Sequence, residues 1–134
     1  MKSTVTWTTE GLVFEGVSAS GHRLSIDGDS KRAPSPMECL QMSVGACSSV
    51  DVVMILQKMR EDISGCRCEL SGMRRETSPR LFTAIHAHYV VSGRGLSRVK
   101  VARAVALSME KYCSVSLMLQ ETVEMTSSFE VVDA

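Results

Sequence analysis

Residues 35–60 place the strongest constraint on what this chain can fold into. Ser35 is a favoured N-cap, Pro36 suits the first helical position, and Glu38 completes a Ser-x-x-Glu capping box. The spacing predicts a helix of about 24 residues running from there to near Arg60. Met37, Leu40, Val44, Cys47 and Met54 fall broadly on one side of it, while Val50, Val52, Val53 and the Gly45-Ala46 pair carry apolar or small character round much of the rest. Such a helix reads as one buried on most of its circumference. It is expected to be the central helix of the fold.

The flanking segments have the other period. Thr/Val/Trp alternation at 4–8, Leu-Val-Phe at 12–14 and Leu24/Ile26 predict three short strands, punctuated by turns at Glu10-Gly11, Ser20-Gly21 and Asp27-Gly28. After the long helix, 65–73 and 80–92 form an expected hairpin around the proline-containing stretch Arg74 to Pro79. A helix fits 97–111, a short one starts near Ser114, and a last strand covers 123–132. The order βββ-α-ββ-αα-β assigns the chain to the α+β class. With 134 residues, a single domain over 1–134 is expected, burying roughly two-thirds of its unfolded surface.

Charge excludes one class of function. Fifteen basic and fifteen acidic residues balance, which leaves no basic footprint for nucleic acid. The apolar stretches are interrupted by Gln, Lys, Ser and Glu, so no membrane association is expected. The first twenty residues lack the apolar core of a signal peptide, which gives a cytoplasmic expectation.

Five cysteines, Cys39, Cys47, Cys66, Cys68 and Cys113, are then an odd number in a compartment where structural disulfides rarely persist. Cys47 lies about three turns into the long helix, among small neighbours that would let another element approach the sulfur. Asp51, four residues on, would oppose a thiolate there unless neutralised. Cys113 sits between two helical segments, with Ser114 as the expected cap of the second. For both, packing as a small buried hydrophobe is the alternative. Cys66 and Cys68 alternate on one strand, and His86 and His88 on the next, which suggests a four-ligand zinc site. Alternation opposes it: Leu81, Ile85, Tyr89 and Val91 form the apolar face of the second strand, and Cys66, Cys68 and Leu70 that of the first. Cysteines and histidines then point to opposite sides of the sheet, and no metal is expected.

Three segments resemble the OsmC/Ohr family (osmotically inducible protein C / organic hydroperoxide resistance). Ser35-Pro-Met-Glu-Cys-Leu-Gln-Met-Ser-Val-Gly-Ala-Cys47-Ser looks like its Pro-led helix motif, with the peroxidatic cysteine eleven residues after the proline. Leu81 to Gly93 is similar to its long strand, and Ala106-Leu-Ser-Met-Glu-Lys-Tyr-Cys113-Ser-Val-Ser to its second-cysteine motif. In detail the chain looks closest to the YhfA-like branch. The resemblance implies an intertwined homodimer in which antiparallel sheets wrap the central helices, with active sites at the subunit interface. It also implies that Cys47 attacks a small-molecule hydroperoxide and becomes a sulfenic acid, which Cys113 captures as a disulfide. A dithiol reductant would restore both thiols, with no metal or organic cofactor.

The sequence departs from the family pattern at the supporting charges. The family's glutamate directly follows the helix-opening proline, and Met37 stands there. Glu38 comes one residue later, about 100° round the helix, where the capping box already employs it. The family's thiolate-stabilising arginine has no counterpart in the first strand or the turn after it, so Arg23 and then Arg32 become the candidates. The expected function is therefore a thiol-dependent peroxidase with Met37, Met42 and Met118 contributing to an apolar pocket. The alternative is a small-ligand-binding or redox-sensing protein of the same fold.

Overall fold

The computed structural model describes residues 1–134. Contacts within the chain gather into two compact units, Met1–Leu40 and Gln41–Ala134. The first unit is an antiparallel meander of β1 (Thr4–Trp7), β2 (Val13–Val17) and β3 (Arg23–Asp27), in the order β1-β2-β3. Asp27 closes it. Its carboxylate accepts backbone N–H bonds from Asp29 at 2.9 Å, Lys31 at 3.1 Å and Arg32 at 2.9 Å. Those bonds, led by the ones from Asp29 and Arg32, hold its pKa below the usual carboxylate range. A lowered folded pKa gives stability that is present above the unfolded value and lost as pH falls through the folded one. Asp27→Asn is therefore expected to lower the unfolding temperature at pH 7, with the gap from wild type closing below about pH 4; thermal melts of the two proteins across pH check this.

The long helix α1 spans Pro36–Lys58. Both halves of its capping box form: the Glu38 N–H donates to Ser35 Oγ and the Ser35 N–H to Glu38 Oε1, each at 3.1 Å. By length and mean hydropathy α1 is apolar enough to cross a bilayer, which the sequence interruptions had not suggested. One side of it is packed, with Val44, Gly45, Ser48, Val52 and Leu56 buried, and in this chain it is not buried on most of its circumference as its composition had suggested.

In the second unit α1 packs on a three-stranded sheet of β4 (Asp62–Arg74), β5 (Phe82–Arg94) and β6 (Glu124–Asp133), in the order β4-β5-β6. β4 and β5 form the expected hairpin. β6 corrects one expectation, since it pairs parallel to β5 and the sheet is mixed. The chain returns to the sheet through helices rather than a tight turn, and a crossover of that length permits parallel entry. Those helices are α2 (Arg98–Leu107), a π-helical turn (Ser108–Tyr112) and α3 (Ser114–Leu119). The core joins Val52 and Leu56 of α1 to Ala87, Tyr89 and Val91 of β5 and Val101, Ala104, Val105 and Met109 of the crossover.

Two glycines permit close approaches. A Cβ on Gly45 would lie 2.6 Å from Leu70 Cδ1, so the bare backbone there lets α1 settle on β4. A Cβ on Gly93 would lie 2.2 Å from the Asp62 carbonyl oxygen. That obstacle is backbone and cannot rotate away. Gly93→Ala is expected to cost about 3 kcal/mol, the upper end of overpacking, and to lower Tm by roughly 10 °C in a thermal melt.

Candidate active site

The site is built where α1 meets the crossover. Cys47 comes from the middle of α1 and is partly open to solvent; Cys113 lies between the π-turn and α3 and is fully buried. The two thiols are neighbours, near enough for Cys47 to raise the pKa of Cys113. The π-turn explains how Cys113 arrives there. Its wider ring is closed by the Cys113 N–H donating to the Ser108 carbonyl at 2.7 Å, five residues back. The extra residue leaves Tyr112 exposed and brings Cys113 inward beside the buried Ser108 and Met109. Ser114 is not the cap of α3, as its sequence position had suggested. Cys113 itself is the N-cap, its sulfur accepting the Ser116 N–H at 3.4 Å.

Burial pushes the Cys113 thiol above its ordinary pKa; Ser116, through its hydroxyl and its N–H, pulls it down, and the adjacent Cys47 pushes it up again. Next to the pair lies a buried polar chain centred on Tyr89. The Tyr89 hydroxyl donates to Ser48 Oγ at 2.6 Å and lies 3.2 Å from Met109 Sδ. Ser48 in turn donates to the Val44 carbonyl at 2.6 Å. Ser108 Oγ sits 3.0 Å from both the Ser48 carbonyl and Asp51 Oδ2, so Asp51 is engaged by a hydroxyl on the crossover. No buried side-chain oxygen or nitrogen is left unpaired. These interactions fix the register of α1 against the crossover.

Cys66 and Cys68 form a second pair on the core face of β4. Burial pushes Cys66 up and Cys68 up to about 11, while Ser49 pulls both down and Tyr89 pulls Cys68 down. At neutral pH both are protonated and poor nucleophiles. In the register, Cys68 lies opposite Tyr89 and Cys66 opposite Val91, while His88 and His86 lie opposite Glu69 and Ser71 on the other face. The histidines bond across to β6: His86 to Thr126 and Ser128, and His88 to Ser128, at 2.7 to 2.8 Å. The thiols and imidazoles thus stand on opposite sides of one sheet, as the alternation required.

Each candidate supporting charge has a partner of its own within the first unit. Glu38 Oε1 accepts from Ser30 Oγ at 2.6 Å as well as from the Ser35 N–H, and these bonds lower its pKa. Arg23 pairs with the half-buried Glu15, and Arg32 with Glu10 at 2.9 Å, both arginines and Glu10 largely exposed in the first unit. An open groove of about 480 Å³ runs along the C-terminal half of α1, floored by Met54, Ile55, Met59 and Leu107, with Tyr112, Asp51 and Lys58 also lining it. Its methionines are Met54 and Met59, whereas Met37, Met42 and Met118, expected around an apolar pocket, do not line it. Tyr89, Ser48, Met109 and Ser116 were not singled out from sequence. Ser116 carried a readable signal, because it stands three residues after Cys113, the spacing of an N-cap to the N–H it accepts.

Known proteins share this fold. A family model described as OsmC-like protein matches residues 27–128. The chain belongs to the OsmC-like family. It is 55% identical to Protein YhfA of Escherichia coli K12 over 135 residues, covering 100% of both chains. Among solved structures, a hypothetical protein from Aquifex aeolicus superposes with a TM-score of 0.89 at 30% identity, covering 99% of this chain and 96% of that one. The organic hydroperoxide resistance protein OhrB of Bacillus subtilis shares the fold, with a TM-score of 0.62 at 20% identity and 96% of each chain covered.

Proposed function

We propose that this OsmC-like protein is a thiol-dependent peroxidase that reduces organic hydroperoxides in a detoxification role. The observation that carries the reading is the closeness of Cys47 and Cys113, the first partly open to solvent and the second buried. Cys47 attacks the peroxide oxygen and releases an alcohol, becoming a sulfenic acid. Cys113 condenses with it to form a disulfide and water, and a dithiol reductant restores both thiols. Family membership supports the substrate class, since a relative bears the name of organic hydroperoxide resistance. The groove beside Tyr112 is of a size that suits a small apolar molecule.

The working unit of this reading is a homodimer. Met42, Ala46, Val50 and Met54 recur every four residues along α1 and form an exposed apolar stripe on a helix whose other side is buried. A second copy presenting the same stripe covers it with matching chemistry. A single domain over residues 1–134 and a cytoplasmic location, where free thiols persist, complete the reading.

Glu38's engagement with Ser30 and Ser35 favours a second reading, a redox-sensing or ligand-binding protein with slow turnover. The test treats reduced protein with one equivalent of cumene hydroperoxide, followed by intact mass and peptide mapping. A Cys47–Cys113 disulfide with rapid turnover on added dithiol supports the peroxidase. The same disulfide without turnover supports the sensor, and no disulfide with saturable binding of an apolar ligand supports the binding protein.

A further inference from the structure

In a resolved cycle Cys113 acts as a thiolate twice, first attacking the Cys47 sulfenic acid and later leaving when the disulfide is reduced. It is 0% exposed, and a buried charge without donors is costly. One side chain beside it is built to supply a donor. The Ser116 N–H lies 3.4 Å from the Cys113 sulfur, and the hydroxyl of the same residue, which pulls the Cys113 pKa down, lies 3.6 Å from Met109 Sδ. That hydroxyl carries one proton and rotates freely about its bond. While Cys113 is protonated the hydroxyl can serve the thioether, and once charge appears the thiolate is the stronger acceptor. Ser116 is itself 1% exposed, so bulk water does not compete for that proton. Its N–H, 3.4 Å from the same sulfur, adds a second donor.

We infer that the Ser116 hydroxyl is the positioning group that receives the Cys113 thiolate, so that Cys113 exchanges only within the chain and an external dithiol enters at Cys47. The inference rests on the peroxidase reading. In the resolving step the Cys113 thiolate attacks the Cys47 sulfur, the S–S bond forms, the S–O bond breaks, and the departing hydroxide takes up a proton as water. In the reducing step a thiolate of the dithiol attacks Cys47 Sγ. The S–S bond breaks with its electron pair passing to Cys113 Sγ, and the second thiol of the reductant then frees Cys47 as the reductant closes to its own disulfide. Cys47 is the sulfur attacked because it is the one partly open to solvent.

Wild type, Ser116→Ala and Ser116→Thr, each shown to be folded by circular dichroism, are to be mixed with one equivalent of cumene hydroperoxide in the presence of dimedone. Peptide mapping over time then reports the Cys47 dimedone adduct and the Cys47–Cys113 disulfide. Ser116→Ala is expected to form the disulfide about tenfold more slowly, the scale of one hydrogen bond to a charged group, with more Cys47 captured by dimedone. Ser116→Thr, which keeps the hydroxyl, restores the wild-type partition. Equal partition in wild type and Ser116→Ala, or a threonine variant that behaves like alanine, overturns the inference. A second arm exposes the preformed wild-type disulfide to 2-nitro-5-thiobenzoate; an adduct on Cys47 is expected, and one on Cys113 overturns the route of entry. Failure of the underlying peroxidase reading looks different: wild type itself then yields neither a Cys47 adduct nor the disulfide, and both readings fall.

Discussion

Replacing Cys47 by serine is expected to reduce dithiol-dependent consumption of cumene hydroperoxide to the rate measured without protein. A serine hydroxyl is a weak nucleophile, whereas a thiol is a far better one even at a small thiolate fraction. Cys113→Ser should behave differently. It retains the attacking sulfur, so a single equivalent of peroxide is consumed and the sulfenic acid on Cys47 stays open to dimedone or to further oxidation. Both variants should fold, since each exchanges sulfur for oxygen within a cluster that already contains the Ser48, Ser108 and Ser116 hydroxyls. Peroxide consumption and adduct mapping on the three proteins separate the two roles. A Cys47→Ser protein that turned over at the wild-type rate would remove the peroxidase assignment.

The second large effect concerns assembly. Val50 is 56% exposed and Met54 50% exposed on α1. A charge placed in the middle of an apolar interface is left desolvated and unpaired, a change that costs several kcal/mol per copy and acts twice across a two-fold axis. Val50→Asp combined with Met54→Asp is therefore expected to halve the mass seen by light scattering. The change should spare the core of the second unit, because neither residue belongs to the buried cluster of Val52, Leu56, Tyr89 and Val101. If the doubly charged variant keeps the wild-type mass, the stripe is not the contact between copies.

How much of this was legible beforehand follows the range of the interactions concerned. The start of α1 was readable because its capping box is closed by Ser35 and Glu38, three residues apart. The separation of Cys66 and Cys68 from His86 and His88 was readable because strand alternation decides it residue by residue. The parallel entry of β6 was not, since strand period is the same in either direction and only the path of the crossover sets it. Nor was the placement of Cys113. Helical periodicity over 97–111 gives no hint that the backbone widens at Ser108, and that widening moves the cap of α3 from Ser114 to Cys113. The sites of Arg23, Arg32 and Glu38 were known from sequence, but their partners, Glu15, Glu10 and Ser30, are set by pairing among the strands and loops of the first unit. The groove's methionines escaped for a related reason, because the apolar stretches gave no guide to which side of α1 the crossover would leave open.

The π-turn also separates two requirements that a regular helix would tie together. In an unbroken α-helix, the depth of every side chain follows from the phase of the face that packs, about 100° per residue. Here Val101, Ala104 and Val105 set the phase of α2 against the sheet, and the one added residue between Ser108 and Cys113 then resets the angle at which the sulfur emerges. Removing a residue from 109–112 would leave α2 seated while swinging Cys113 out of line with Cys47. The partnership of the two sulfurs is thus a property of chain length at one place, and the packing residues of α2 can drift in identity without disturbing it.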